Sequence, residues 1–405
     1  MPLPTEPLKL DVLIIGCGIA GLTAAVACRL KGFNVKVLES SPEFAHVGAG
    51  LLISSNASRI LCDFGLRDAL DAVAIHMKRV IFLKHDDGTI LSEQKYDGAE
   101  EKLGAPLWQI HRADLHDVLL GNARELGVEI TMGAQVKSFD WDAPSALLED
   151  GNVVKADVIL AADGYRSRAR AEMLGNFVEP HFSGNSAYRA LIKRSEFVND
   201  PKLAPLFDIT NQTTYVWVGE GCHILAYPIR QGEYLNVVAT QPAKHTKGPK
   251  YVVPIDPSEF LNHYAHWDPV LVAVLEKLPK ENVLEWKLCD LEPMDSWLFP
   301  GGKIVLLGDA SHAMLPSAAQ GAGMGIEDGI AIAELLARAE KRSQIPLALK
   351  AFENLRLPRC TYIVNSGREN AKKWHKDDAK GGTVTDSMWD YDVKGAAQSI
   401  SLEAA

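Results

Sequence analysis

Leu10-Asp11-Val12-Leu13-Ile14-Ile15-Gly16-Cys17-Gly18-Ile19-Ala20-Gly21 begins as an apolar run of β type and breaks into a glycine-spaced turn, after which Leu22 to Leu30 is rich in helix formers. A strand, a GxGxxG turn and a helix in that order bring bare backbone and a helix N-terminus up to a ligand's phosphates. A second β-type run, Asn34 to Leu38, ends in Glu39, about twenty residues past the turn, where a carboxylate accepts hydrogen bonds from ribose hydroxyls. Gly16, Gly18, Ala20, Gly21 and Glu39 therefore read as a dinucleotide site on a parallel, doubly wound α/β sheet. The acidic residue disfavours a 2′-phosphate, so the site suits FAD or NAD better than NADP.

Two later stretches repeat the pattern of a buried strand followed by a glycine and a carboxylate. Asp157 to Ala161 runs into Asp163-Gly164-Tyr165-Arg166-Ser167-Arg168-Ala169-Arg170. Ile304 to Leu307 runs into Gly308-Asp309-Ala310-Ser311-His312, and the chain continues through Pro316 and Gln320-Gly321-Ala322-Gly323 to Glu327-Asp328 and a helical pattern from Ile330 to Ala337. A Gly-Asp step past a strand end can aim one carboxylate at a polyol, and free N–H groups at the start of a helix suit a phosphate or an electron-rich ring.

Together these stretches resemble the motifs of the group A FAD-dependent aromatic hydroxylases, of the salicylate hydroxylase-like kind. The resemblance implies a Rossmann-type FAD lobe, an inserted antiparallel-sheet substrate lobe and C-terminal helices, as in para-hydroxybenzoate hydroxylase. It implies that Asp309 meets the ribityl and pyrophosphate region and that Pro316, Gly321, Ala322 and Gly323 lie against the isoalloxazine. By the same resemblance Asp163 and Arg170 face FAD and its NAD(P)H donor, and Arg112 reaches the phosphates and ribityl chain. A guanidinium is suited to that contact. The loop Val47-Gly48-Ala49-Gly50 matches a family loop beside the flavin, His46 reads as an exposed loop residue, and His111 as a structural neighbour of Arg112.

At 405 residues the chain is long enough for two lobes. The motifs assign 1–75, 109–182 and 286–345 to the FAD lobe, 76–108 and 183–285 to the substrate lobe, and 346–405 to a C-terminal helical segment. Strand-like runs Arg79 to Lys84 and Thr89 to Ser92, split by Asp86-Asp87-Gly88, form a hairpin signal, and Thr213 to Val218, Cys222 to Tyr227 and Tyr234 to Thr240 continue the antiparallel pattern. Residues 257 to 280 read as helical. Ala348 to Arg356 and Pro358 to Lys373 read as closing helices, with Arg356, Arg359 and Arg368 on a solvated or salt-bridged face. Trp389-Asp390-Tyr391-Asp392-Val393 extends the family resemblance nearly to the end.

Acidic residues outnumber basic ones 52 to 42, a formal net charge of −10, which argues against a nucleic-acid partner. Six cysteines without CxxC spacing fit reduced thiols in a cytoplasmic setting, Cys17 being merely small. No apolar run approaches the eighteen or so residues of a membrane span, and Met1 to Lys9 reads as a frayed end. The oligomeric state is not legible.

The resemblance also sets the chemistry. Reduced flavin and dioxygen give a C4a-hydroperoxide whose distal oxygen passes to an electron-rich aromatic carbon, while the protein excludes water and orients the ring. A phenol becomes a better nucleophile on losing its proton. His223 and Tyr227, four apart on a probable strand and hence on one face, are the candidate base and its relay or hydrogen-bond partner. They match a family pattern His-x-x-x-Tyr-Pro-x-Arg. Arg189 is the candidate for a substrate carboxylate or carbonyl. Salicylate 1-monooxygenase activity, hydroxylation of a polyketide phenol or indole, and a flavoprotein oxidase or dehydrogenase without oxygen insertion all remain open, as does a flavin-containing binding protein without turnover. Pro316 with Ser317-Ala318-Ala319 departs from the usual family residues and leaves substrate identity open.

Overall fold

The computed structural model describes residues 8–44, 50–246, 250–279, 283–374 and 386–402. One sheet has five parallel strands in the order Ile304–Leu306, Val158–Ala161, Asp11–Ile15, Asn34–Leu38, Glu129–Thr131. Its central strand is buried from Val12 to Ile15 because helices cover both faces, which explains the unbroken apolar run. The helices Ile19–Leu30 and Gly321–Leu336 cross closely, with Gly325 and Gly329 facing Ala20, Thr23 and Ala24. Gly16, Glu39, Asp163 and Asp309 follow the carboxyl ends of four neighbouring strands. That edge is where open α/β sheets bind ligands.

The second sheet has eight strands: Val252–Pro254, Leu284–Asp290, His181–Lys193, Tyr234–Pro242, Cys222–Ile229, Thr213–Gly219, Arg79–Lys84 and Ile90–Lys95. All pairings are antiparallel except that of Thr213–Gly219 with Arg79–Lys84. Its back face, including Tyr188, Trp217, Ile224, Ala226 and Val237, packs on the helices Pro257–Tyr264 and Pro269–Leu275. Its front face carries Arg189, Val216, Leu225 and Val238 in one row, with Tyr227 and Asn236 on one side and His223 and Thr240 on the other.

Three expectations change. Residues 286–290, assigned to the FAD lobe, belong to the strand Leu284–Asp290 of the second sheet, paired with His181–Lys193; the return begins after Asp290. The helix expected from Ile330 starts at Gly321, since packing on Ile19–Leu30 overrides the low helix propensity of its glycines. The two expected closing helices are one, Ile345–Trp374, running through Pro358. An interior proline costs about 3 kcal/mol, and the helix persists because Arg356 and Arg359, on either side of it, both bind Glu327. Of the solvated or salt-bridged face expected for Arg356, Arg359 and Arg368, the salt-bridged alternative holds: Arg356 is fully buried against Glu327 and Asp328, Arg359 pairs with Glu327, and Arg368 pairs with Asp290 and Glu292.

Candidate active site

The glycine turn works by close approach. Gly16 has φ +98, its N–H donates to the Leu38 carbonyl at 2.8 Å, and a Cβ there would lie 2.4 Å from the Ala162 carbonyl oxygen. Gly18 caps the Ile19–Leu30 helix without a side-chain hydrogen bond, and Gly21 lies against the Gly16 carbonyl. Glu39 accepts from the Cys17 N–H at 2.8 Å and from the Ser41 N–H at 2.8 Å, which holds its carboxylate at the mouth of a cleft of about 360 Å³. Gly16, Gly18, Asp163, Gly164 and Arg166 also line that cleft. Burial and then Glu39 push the Cys17 thiol up to about 12, so it is an inert small side chain.

Asp163 spends its carboxylate on its own turn. It accepts from Ser167 Oγ at 2.6 Å and from the N–H groups of Arg168 and Ala169, and so caps the helix Arg168–Leu174. Arg170 is buried and donates to the Ala310 carbonyl at 2.8 Å and the Tyr165 carbonyl at 2.6 Å. This is a correction: Arg170 lies inside the protein, stapling the 163–170 turn to the Asp309 segment, and is not placed to meet a visiting donor. Burial lowers its pKa, against the opposing pull of Asp163 and Asp309.

Asp309 starts a one-turn helix, Asp309–His312, and is exposed without a hydrogen bond to any described residue. Crowding by protein nevertheless raises its carboxyl above the usual range, while His312, Arg112 and Arg170 pull it down. Arg112 is likewise exposed and free of ion pairs among the described residues; it opens the helix Arg112–Glu125, which His111 caps by accepting from the Ala113 N–H at 3.2 Å. The helix Gly321–Leu336 has no side-chain cap, and its first intrahelical bond is Met324 N–H to the Gln320 carbonyl, so the N–H groups of Gly321, Ala322 and Gly323 are free to meet an acceptor. Pro316 lies exposed in the turn before it. An unpartnered carboxylate, an unpartnered guanidinium, an uncapped helix and a glycine turn along one strand edge fit a molecule carrying ribose, pyrophosphate, polyol and ring.

The two lobes meet over the same edge. Gly50 N–H donates to Asn236 Oδ1 at 2.9 Å, and a Cβ on Gly50 would lie 2.5 Å from Tyr227 Oη. Arg230 closes on Asp114 with a bidentate pair, at 2.6 Å for its Nη2. Arg189 is enclosed on the front face; burial lowers its pKa, Tyr227 raises it and Arg112 lowers it further, and its Nε finds no hydrogen-bond partner among the described residues. Burial also keeps the Tyr227 phenol protonated well above neutral pH. Tyr227 and His223 do share a face, but strand spacing separates them by about 13 Å, so the expected direct partnership is not made. Leu225 floors the strip of the front face between them. His46 and residues 47–49 lie outside the described residues.

Sequence reasoning did not foresee the buried charges behind the site. Asp328 binds Gly308, His312 and Arg356, while Glu327 binds Arg356, Arg359 and Asn56. Donor atoms of His312, Asp328 and Cys360 lie within 4.8 Å of one another, but Arg356 already supplies the cation there. The visible signal was Glu327-Asp328 on a helix with no polar face. Among the described residues no helix is long and apolar enough to cross a membrane.

The profile of the FAD binding domain family matches residues 9–187 and 283–366. The chain is 34% identical over 379 residues to the FAD-dependent monooxygenase OpS4 of Beauveria bassiana (strain ARSEF 2860), covering 92% of this chain and 87% of that one. It is 31% identical over 362 residues to 3-hydroxybenzoate 6-hydroxylase 1 of Aquipseudomonas alcaligenes, covering 88% of each. A solved salicylate hydroxylase substrate complex superposes with a TM-score of 0.80 at 25% identity, over 96% of this chain and 97% of that one.

Proposed function

We propose that this chain, which belongs to the FAD-binding-domain family of group A flavoprotein aromatic hydroxylases, uses NAD(P)H and dioxygen to hydroxylate a small anionic phenol. The observation that carries the substrate class is Arg189: a half-buried side chain on the front face of the second sheet, whose buried Nε has no hydrogen-bond partner and which has no acidic partner among the described residues. A buried cation left without a counter-ion is costly, and a substrate carboxylate or phenolate would supply one.

FAD, when bound, supplies the oxygen-activating chemistry. The glycine turn and Glu39 would hold its adenosine end, Asp309 and Arg112 its ribityl and pyrophosphate, and the N–H groups of Gly321 to Gly323 its ring. Arg189 orients the substrate's anionic group. Tyr227, kept protonated by burial, donates a hydrogen bond, and His223 at the far end of the strip takes the phenol proton. The lobe junction at Gly50, Asn236 and Tyr227 excludes water.

The test is a panel of 2-hydroxybenzoate, its isomers, neutral phenols and indoles, scored by NAD(P)H oxidation, oxygen uptake and product mass. Anionic phenols should accelerate NAD(P)H oxidation, and 2-hydroxybenzoate should give catechol and carbon dioxide if attack falls on the carboxyl-bearing carbon. Arg189→Met should weaken anionic substrates by roughly ten- to a hundredfold, the worth of a charged hydrogen bond. Preference for neutral phenols or indoles with an unaffected Arg189→Met variant would instead favour a polyketide-phenol or indole hydroxylase. NAD(P)H oxidation without oxygen incorporation would make the protein an oxidase.

A further inference from the structure

We propose that Asp328 is the positioning residue for flavin binding: its carboxylate clamps both ends of the turn that carries Asp309 and so aims the Asp309 side chain. The inference rests on the reading of Asp309 as a partner of FAD.

A helix of one turn, Asp309–His312, cannot hold its own shape. The chain enters it through Gly308 at φ +58, ψ −140, a conformation closed to residues with a Cβ, and a Cβ there would also lie 2.8 Å from that of Ala20. The Gly308 N–H donates to Asp328 Oδ2 at 2.9 Å, and His312 Nε2 meets the same oxygen at 2.6 Å. One oxygen thus spans the turn from the residue before Asp309 to the last residue of the helix.

Asp328 is itself held. Its Oδ1 accepts from Arg356 Nε at 2.8 Å, and the side chain is wholly buried. Burial alone would favour its neutral form, but His312 and Arg356 outweigh that and hold the carboxyl at about 2, so both oxygens are acceptors at neutral pH. Asp328 also lies on the helix Gly321–Leu336, whose uncapped start faces the ring. A single rigid element therefore sets the ring-facing N–H groups and the ribityl-facing carboxylate together.

The test is FAD affinity of the apoprotein, by quenching titration, in four forms: unaltered, Asp309→Ala, Asp328→Asn and the double variant. Each single change should weaken FAD by about tenfold or more, and the double variant should be scarcely weaker than the weaker single. Unchanged affinity in Asp328→Asn, or the same loss repeated in the Asp309→Ala background, overturns the proposal. Unchanged affinity in Asp309→Ala sinks the reading beneath it, and with it the route through Asp309. Glu285→Gln is the stability control. It removes a buried carboxylate from the other lobe, where Glu285 accepts from Lys244, His245 and Thr246, and should lower Tm with FAD affinity intact. An equal loss of FAD affinity there would reduce the Asp328 effect to general stability and overturn the proposal. Should Asp328→Asn not fold, amide exchange in the unaltered apoprotein decides: the Gly308 amide should be protected like a sheet amide, and exchange at the rate of an exposed loop overturns the clamp.

Discussion

Asp309 answers two opposed demands. Crowding raises its carboxyl, so ionisation is less favourable in the folded apoprotein than in the unfolded chain. A carboxyl raised on folding contributes stability that is present below its unfolded pKa, near 4, and is lost as pH rises through the higher folded value. At neutral pH the ionised side chain therefore costs the apoprotein stability, and it is the group proposed to meet the polyol. Asp309→Asn should raise the apoprotein's Tm at pH 7, leave it nearly unchanged at pH 3.5, and weaken FAD; thermal melts at the two pH values with an FAD titration check this, and a lower Tm at pH 7 would contradict it. His223 is the proposed proton acceptor. If it takes the substrate proton, His223→Ala keeps FAD yet loses roughly a hundredfold in hydroxylation, with hydrogen peroxide released in place of product. Hydroxylation at the unaltered rate across the pH range would leave His223 as a sheet residue.

Among the elements, the helix Pro269–Leu275 shows how the back of the second sheet is tied to its covering helices. Asp268 caps it, accepting from the Val270 N–H at 3.0 Å, and the other carboxylate oxygen accepts from the Trp217 indole at 2.7 Å on the sheet. Asp268→Ala removes the cap and orphans a buried indole N–H, which should cost about 2–3 kcal/mol. Urea unfolding should show that loss while FAD titration stays unchanged, because the helix lies on the face away from the cleft. A loss confined to FAD affinity would mean that the sheet's back and front are coupled.

For the whole molecule, the proposed substrate site depends on two lobes meeting at one line. Asn236 is wholly buried and takes the Gly50 N–H across that line, Gln109 meets Thr214, and Arg230 meets Asp114. Asn236→Ala leaves a buried N–H without its acceptor, a cost of about 1–3 kcal/mol, and loosens the junction. The expected signature is weaker aromatic binding and more hydrogen peroxide per NAD(P)H consumed, with FAD still bound. Tight coupling in that variant would show that the junction is held elsewhere. The buried charges behind the site give an acid limit: with Asp328 held at about 2, its contribution is complete above its unfolded value near 4 and is lost as pH falls from there toward 2.

The sequence by itself determined the parallel sheet, the order of its three ligand-facing turns and the antiparallel character of the second lobe. Each of these rests on local periodicity: an apolar run, a glycine where only glycine fits, a carboxylate one step past a strand end. Gly16, Glu39 and Asp309 could be located just past their strand ends for the same reason, since each lies within a few residues of an apolar run. Tertiary structure decided the rest. Pairing with His181–Lys193 made Leu284–Asp290 a strand of the second sheet, and Glu327 kept one helix running through Pro358. Arg170 turned inward to two carbonyls, and His223 and Tyr227 came to rest at opposite ends of a strip. Local windows miss most of these partners: a charge or a hydrogen-bonding group takes its role from whatever the fold brings against it, from residues as far apart as Arg170 and Ala310 or Gly50 and Asn236.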